Sequence, residues 1–314
     1  MKPRDIADYT FLAVTWGLSF LVLVKAVAAF GWIGAVTFRC LIAGASLWLA
    51  ARLLRRRLDF SMGWRPLAVV GATTVAGQLI TLSYSTPRIG TAMAAIFTAA
   101  IPLLAMVIGQ LWGIERITVR RLSGLAVGAT GLILLVGFPQ AEPTPEFLLG
   151  CAVAILSSVF AAFGSNYAAS RLKTVGSWEI TIGAFLAGGL MSLPLIVVVP
   201  VPGTPRPVDF LYLAILATGM SALAYTRYFR LVSVLGPTRS ISVEFAVTTV
   251  AVLVGTLLLH EPLSAIQMAG AGAVILGCLL VLGLTPRIGL GPMRRKRRGR
   301  ERRNALAAPV PRVR

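Results

Sequence analysis

The feature that most constrains this chain is a series of long apolar runs separated by short charged or turn-rich segments. A helix needs about 20 apolar residues to cross the hydrocarbon core of a bilayer. Ten runs approach or exceed that length, approximately 8–28, 33–52, 66–86, 89–114, 122–139, 147–170, 178–200, 208–230, 237–259 and 264–284. They are apolar on every side, whereas strands of a membrane barrel alternate. Composition agrees: 57% of residues are hydrophobic and 13% charged, against about 25% charged in an average soluble domain. Such hydrophobicity excludes disorder for most of the chain. Cys40, Cys151 and Cys278 lie far apart in apolar runs, which excludes a disulfide scaffold. Pro102 and Pro194 fall inside expected spans, where neighbouring helices can satisfy the freed backbone groups. The first run follows Lys2 and Arg4 and has no small-x-small cleavage site before Lys25, so it reads as a retained helix.

Orientation follows from the basic residues. With the N-terminus in the cytoplasm, 25 of the 30 lysines and arginines fall in cytoplasmic segments. Only Lys25, Arg88 and Arg206 fall outside, and Arg39 and Arg227 lie within spans. Both termini are therefore expected in the cytoplasm.

Shifting the sequence by 146 positions aligns it with itself without a gap. Lys25 meets Arg171, Trp32 meets Trp178, Glu115 meets Glu261 and Thr118 meets Ser264. Gly90, Gly109, Gly124, Gly131 and Gly137 all land on glycine, where composition alone predicts about 1.4 such matches. The expectation is an all-α integral membrane protein of ten transmembrane helices, arranged as two five-helix repeats. The repeats are 1–140 and 141–286, followed by a basic cytoplasmic tail at 287–314. Because five is odd, the second repeat enters the membrane from the opposite side, the inverted arrangement of many secondary transporters.

A family pattern is visible in particular residues. Trp16-Gly17-Leu18-Ser19-Phe20 lies in the first span and Phe38-Arg39 in the second. Pro102 and then Glu115-Arg116-Ile117-Thr118 follow in and after the fourth. The second half holds Ala224-Tyr225-Thr226-Arg227-Tyr228-Phe229-Arg230, Gly236-Pro237-Thr238-Arg239 and His260-Glu261-Pro262-Leu263-Ser264. Over about residues 8 to 284 the chain resembles the EamA-like family of the drug/metabolite transporter superfamily. The resemblance implies ten helices, two inverted repeats and movement of small metabolites, often export of amino acids or related compounds. Arg227 and Glu244 depart from the family pattern, so they are read on physical grounds alone.

Arg39 lies about 9 Å inside its span. A charge there is either functional or a packing element bonded to carbonyls. Gln78, Tyr84, Asn166 and Tyr167 are neutral polar groups inside helices, suited to lining a cavity or to bonding between helices. Trp16 aligns near Phe163 and reads as core packing or a substrate clamp. Together with Tyr225, these residues are the substrate-cavity candidates. Glu115 and Glu261 could form a proton pair. The better reading is structural capping, with Thr118 as an N-cap and Ser264 opening a capping box that ends at Gln267. Arg227 and Glu244 sit at similar distances on either side of Gly236. They are expected to pair within the membrane, as a static brace or as a proton-coupled contact.

The basic tail, including Arg294-Arg295-Lys296-Arg297-Arg298, suits anionic lipid next to the last span better than nucleic acid. Zinc and phosphate-loop motifs are lacking and His260 is the single histidine, so neither a metal site, another cofactor nor an ATP-driven pump is expected. The resulting expectation is a non-enzymatic secondary transporter of the bacterial inner membrane that exports or exchanges a small-molecule substrate by alternating access. A lipid-handling enzyme or scaffold on a duplicated helical fold is the alternative. Oligomeric state is not legible in the sequence.

Overall fold

The computed structural model describes residues 1–98, 100–136, 144–247, 249–250 and 265–282. Glu261, Ser264 and the tail at 287–314 lie outside the described residues. Among the described residues every regular element is helical. Five helical stretches are long and apolar enough to cross a membrane: Leu21–Leu53, Arg65–Ile89, Pro145–Arg171, Ser177–Val198 and Pro207–Leu235. Many of their outward side chains are large and apolar, such as Leu21, Val24, Leu149 and Val197. That is the surface a lipid environment requires.

Helix α1 (Pro3–Leu53) has 51 residues. At 1.5 Å per residue it is far longer than a bilayer is thick. It breaks at Gly31, whose φ of 73° and ψ of 166° are open to glycine but not to residues with a Cβ. The chain doubles back there, because Asp8 and Leu47, from the two arms, line one cavity. The loop after α1 includes Asp59, which accepts the Ser61 N–H at 2.9 Å; that bond holds the carboxyl below the usual carboxylate range. Helix α2 (Arg65–Val70) passes through a π-helical segment, Gly71–Gly77, into α3 (Gln78–Thr98). The expected boundary between the third and fourth spans, at 86–89, is not an interruption. Pro87 lies inside α3, and the helix runs on to Thr98. Pro102, expected in mid-span, stands in the first turn of α4 (Ile101–Leu111), where a missing N–H costs nothing.

Helices α5 (Val119–Val136), α6 (Pro145–Arg171) and α7 (Ser177–Ser192) follow. Pro194 ends α7 instead of lying within it, and the short α8 (Leu195–Val198) succeeds it. Helix α9 (Pro207–Ala217) continues through a second π-helical segment, Thr218–Leu223, into α10 (Ala224–Leu235). Gly236, at φ 86°, turns the chain into α11 (Pro237–Ile241), and α12 (Ala265–Leu282) is the last described helix.

Several element bounds recur at the 146-residue shift. Helices α5 and α12 begin and end 146 residues apart, and α3 and α10 begin 146 apart. The two π segments end 146 apart. Helices α5 and α12 also pack on each other. A Cβ on Gly131 would lie 2.6 Å from the Val274 nitrogen and 2.8 Å from the Gly270 carbonyl oxygen. A Cβ on Gly277 would lie 2.6 Å from Gly128 and 2.7 Å from the Gly124 carbonyl oxygen. Each contact of one helix is thus returned by the equivalent position of the other. As α5 advances from Gly124 to Gly131, its partner retreats from Leu280 to Ala273, so the two helices run antiparallel.

Candidate functional site

The core holds a seam where residues before 140 meet residues after 141. Its centre is aromatic. Trp16 lies 5.2 Å from Tyr225 and 5.5 Å from Tyr228, ring centroid to centroid, and Phe185 meets Tyr225 edge-on at 4.9 Å. All four are buried. The Trp16 indole N–H donates to the Met220 carbonyl at 3.2 Å. Met220 belongs to the second π segment, where the wider turn disturbs the regular i to i−4 ladder. One residue on, Ser221 donates to the Leu216 carbonyl at 2.7 Å and accepts from Nε of Arg39.

Arg39 stands on the second arm of α1 and is 4% exposed. It makes no ion pair among the described residues. A buried cation in apolar surroundings needs compensation, and the hydroxyl of Ser221 brings no charge. Further polar contacts extend the seam. Thr37 donates to Ser192 at 2.9 Å and Tyr9 and Ser242 share a 3.2 Å bond, while Tyr228 and Ser165, both after residue 141, share one of 2.5 Å behind it.

A charged cluster lies beside the seam, toward the start of α1. Asp5 and Asp8 are one helical turn apart on α1, as Arg227 and Arg230 are on α10. Arg230 bonds Asp5 at 2.8 Å and Asp8 at 2.9 Å, and Arg227 bonds Asp8 at 3.2 Å. The Arg227 guanidinium also covers the Phe11 ring at 4.1 Å. This corrects the expected pairing of Arg227 with Glu244. A short turn alone would make the next segment the partner of the charge. Helix α1 begins at Pro3 instead, which brings two carboxylates alongside α10. Glu244 is partly buried in the segment after α11. A cavity of about 820 Å³ opens beside the cluster, lined by residues of both arms of α1, the start of α7 and the segment from Thr218 to Arg230.

The expected cavity residues do not form one group. Trp16, Arg39 and Tyr225 come together. Gln78 is buried at the end of the first π segment, and its carbonyl accepts from Ser157 at 2.9 Å. Asn166 donates to the carbonyls of Ala105 and Ala162, both at 2.9 Å, and so ties α6 to α4. Tyr84 packs edge-on against Trp32 at 5.1 Å under the Arg88 guanidinium. Tyr167 stacks on Phe163 at a separate pocket with Trp112. Glu115 pairs with Arg121 at 3.0 Å, and Thr118 accepts the Arg121 N–H at 3.3 Å at the start of α5. Asp5, Asp8, Ser221 and Tyr228 escaped the sequence reading. The matched one-turn spacing of the acid pair and the arginine pair was the available signal.

Residues 9–137 and 148–283 match the model of the EamA-like transporter family. The chain belongs to that family. It is an integral membrane protein, and among its relatives is Protein PecM of Dickeya dadantii, 26% identical over 90% of this chain and 92% of that one. An uncharacterized inner membrane transporter, YedA of Escherichia coli, is 28% identical over 86% and 88%. A probable terminal-alkyne amino-acid exporter of Streptantibioticus cattleyicolor is 23% identical over 85% and 90%. A solved crystal structure, 18% identical, shares the fold with a TM-score of 0.75 over 90% of this chain and 99% of that one. Family membership makes transport the general role and places the seam within a membrane protein.

Proposed function

We propose that this chain is a secondary transporter that exports or exchanges a small metabolite bearing a carboxylate, such as an amino acid or a related compound. The observation that carries the reading is Arg39: a buried guanidinium without an ion pair among the described residues, beside an aromatic group, where the two halves meet. An ionisable side chain within a membrane protein marks a substrate or ion pathway by default. A substrate carboxylate would supply the missing counter-charge, and Trp16 and Tyr225 would hold its apolar part. The naming of one relative as an amino-acid exporter agrees with this class.

Alternating access fits two inverted five-helix repeats, ten helices in all, because halves of one fold in opposite orientations can exchange conformations. The returned contacts of α5 and α12 and the recurring π segments support that arrangement. The 25 to 3 distribution of basic residues supports both termini in the cytoplasm of a bacterial inner membrane, with the tail against anionic lipid.

Counterflow in proteoliposomes tests the reading with a panel of labelled amino acids and related carboxylates. Wild-type protein should exchange at least one of them saturably. Arg39→Gln should reduce that exchange about ten-fold or more, the loss of one charge-assisted contact, without loss of the monodisperse folded species. Unchanged exchange in Arg39→Gln would remove Arg39 from the site. Absence of saturable exchange across the panel would favour the lipid-handling alternative.

A further inference from the structure

The 820 Å³ cavity is lined by four arginines, Arg4, Arg56, Arg227 and Arg230. They come from three separate places in the sequence: the start of α1, the loop after α1, and α10. Asp8 is the acidic residue that lines the cavity, and its two oxygens are taken by Arg227 and Arg230. Asp5, just beyond the lining, is held by Arg230. Arg4 and Arg56 make no ion pair among the described residues. Both are exposed, and the Arg56 guanidinium lies over the Trp178 ring at 4.8 Å. Positive charge therefore exceeds negative in a concave space, and a cleft with an excess of one sign of charge raises the local concentration of ions of the other sign. The remaining wall is largely apolar, with Leu47, Trp178 and Leu223. The volume lies within the range of small-molecule sites.

We propose that this cavity binds the oxyanion head, carboxylate or phosphate, of a molecule with an apolar body. Guanidinium groups grip such heads through paired N–H donors. The apolar wall takes the attached chain or ring. The head can belong to a free organic anion or to a membrane lipid, and the two share this chemistry. The inference does not rest on the transport reading, because it concerns binding to the protein at rest and residues other than Arg39.

The test is calorimetric titration of the full chain in a neutral maltoside detergent. The probes are n-octyl phosphate, dioctanoyl phosphatidylglycerol, dioctanoyl phosphatidylcholine and octyltrimethylammonium. The site should bind octyl phosphate or phosphatidylglycerol saturably and prefer them over the zwitterionic and cationic probes. Octyl phosphate as the tighter ligand identifies a free organic anion; phosphatidylglycerol as the tighter one identifies a lipid head. Arg4→Gln and Arg56→Gln break no ion pair and should keep the fold. Each should weaken the preferred anion about ten-fold, the equivalent of one charge-assisted contact. Equal binding of all four probes, or wild-type affinity in both variants, would overturn the proposal. Anion binding that persists in a protein with no exchange activity would leave it standing while the transport reading fell.

Discussion

Two of the seams that join residues before 140 to residues after 141 are built from opposite materials. Between α5 and α12 the contact is glycine against backbone, with Gly131 and Gly277 in equivalent places. Between α1 and α10 with the π segment before it, the contact is charge, hydroxyl and aromatic ring: Asp5, Asp8, Trp16 and Arg39 on one side and Ser221, Tyr225, Arg227 and Arg230 on the other. Small residues let membrane helices approach closely and gain dispersion energy over a long contact. They carry no group that a solute can address. The polar seam packs less simply and requires each buried charge to be compensated. The comparison separates a seam suited to holding the halves together from one suited to chemistry.

The largest effect is expected at the glycine seam. Gly131→Val or Gly277→Val places side-chain atoms where backbone already stands 2.6 Å from a Cβ. Each should destabilise the protein by about 1–3 kcal/mol or more, as overpacking does. Because the two positions are equivalent, their effects should match closely in thermal unfolding followed by size-exclusion fluorescence. A large loss at one and none at the other would break the equivalence of α5 and α12.

At the polar seam a somewhat smaller effect is expected from Asp8→Asn or Arg227→Gln. A double-mutant cycle should give a coupling of about 0.5–3 kcal/mol between them. The same cycle between Arg227→Gln and Glu244→Gln should give additive changes. Coupling of Arg227 to Glu244 instead of Asp8 would restore the hairpin pairing and overturn the seam described above.

The smallest effect concerns a single neutral bond. Tyr228→Phe removes the contact with Ser165 but keeps the ring against Trp16. A loss of about 0.5–1.5 kcal/mol in unfolding stability is expected. A loss as large as that at Gly131 would mean that the polar seam, and not the glycine seam, holds the core.

Reading from sequence worked where a local rule had no competitor. The gaps expected between spans at 28–33 and 230–237 hold the turns at Gly31 and Gly236, whose positive φ favours glycine. The glycine matches at Gly124, Gly131, Gly270 and Gly277 pointed to a repeat, and these residues lie at the α5–α12 contact. The site was less legible. Gln78, Asn166, Tyr84 and Tyr167 are polar groups in apolar helices just as Arg39 is, and nothing local says which of them face the same space. Their separation became visible only in the bonds of Asn166 to Ala105 and of Tyr167 to Phe163.

The sequence by itself pointed to a membrane protein, matched its two halves at a fixed shift and marked Arg39 and Arg227 as charges within apolar runs. Those conclusions follow from hydropathy and periodicity, which are properties of each segment alone. The tertiary structure decided who solves each problem. Arg227 meets Asp8, more than two hundred residues away, in preference to Glu244 seventeen residues on. Helix propensity and burial fix where a charge sits along its own axis, but the partner depends on which helices become neighbours. That is set by the packing of the whole bundle, and local spacing does not encode it.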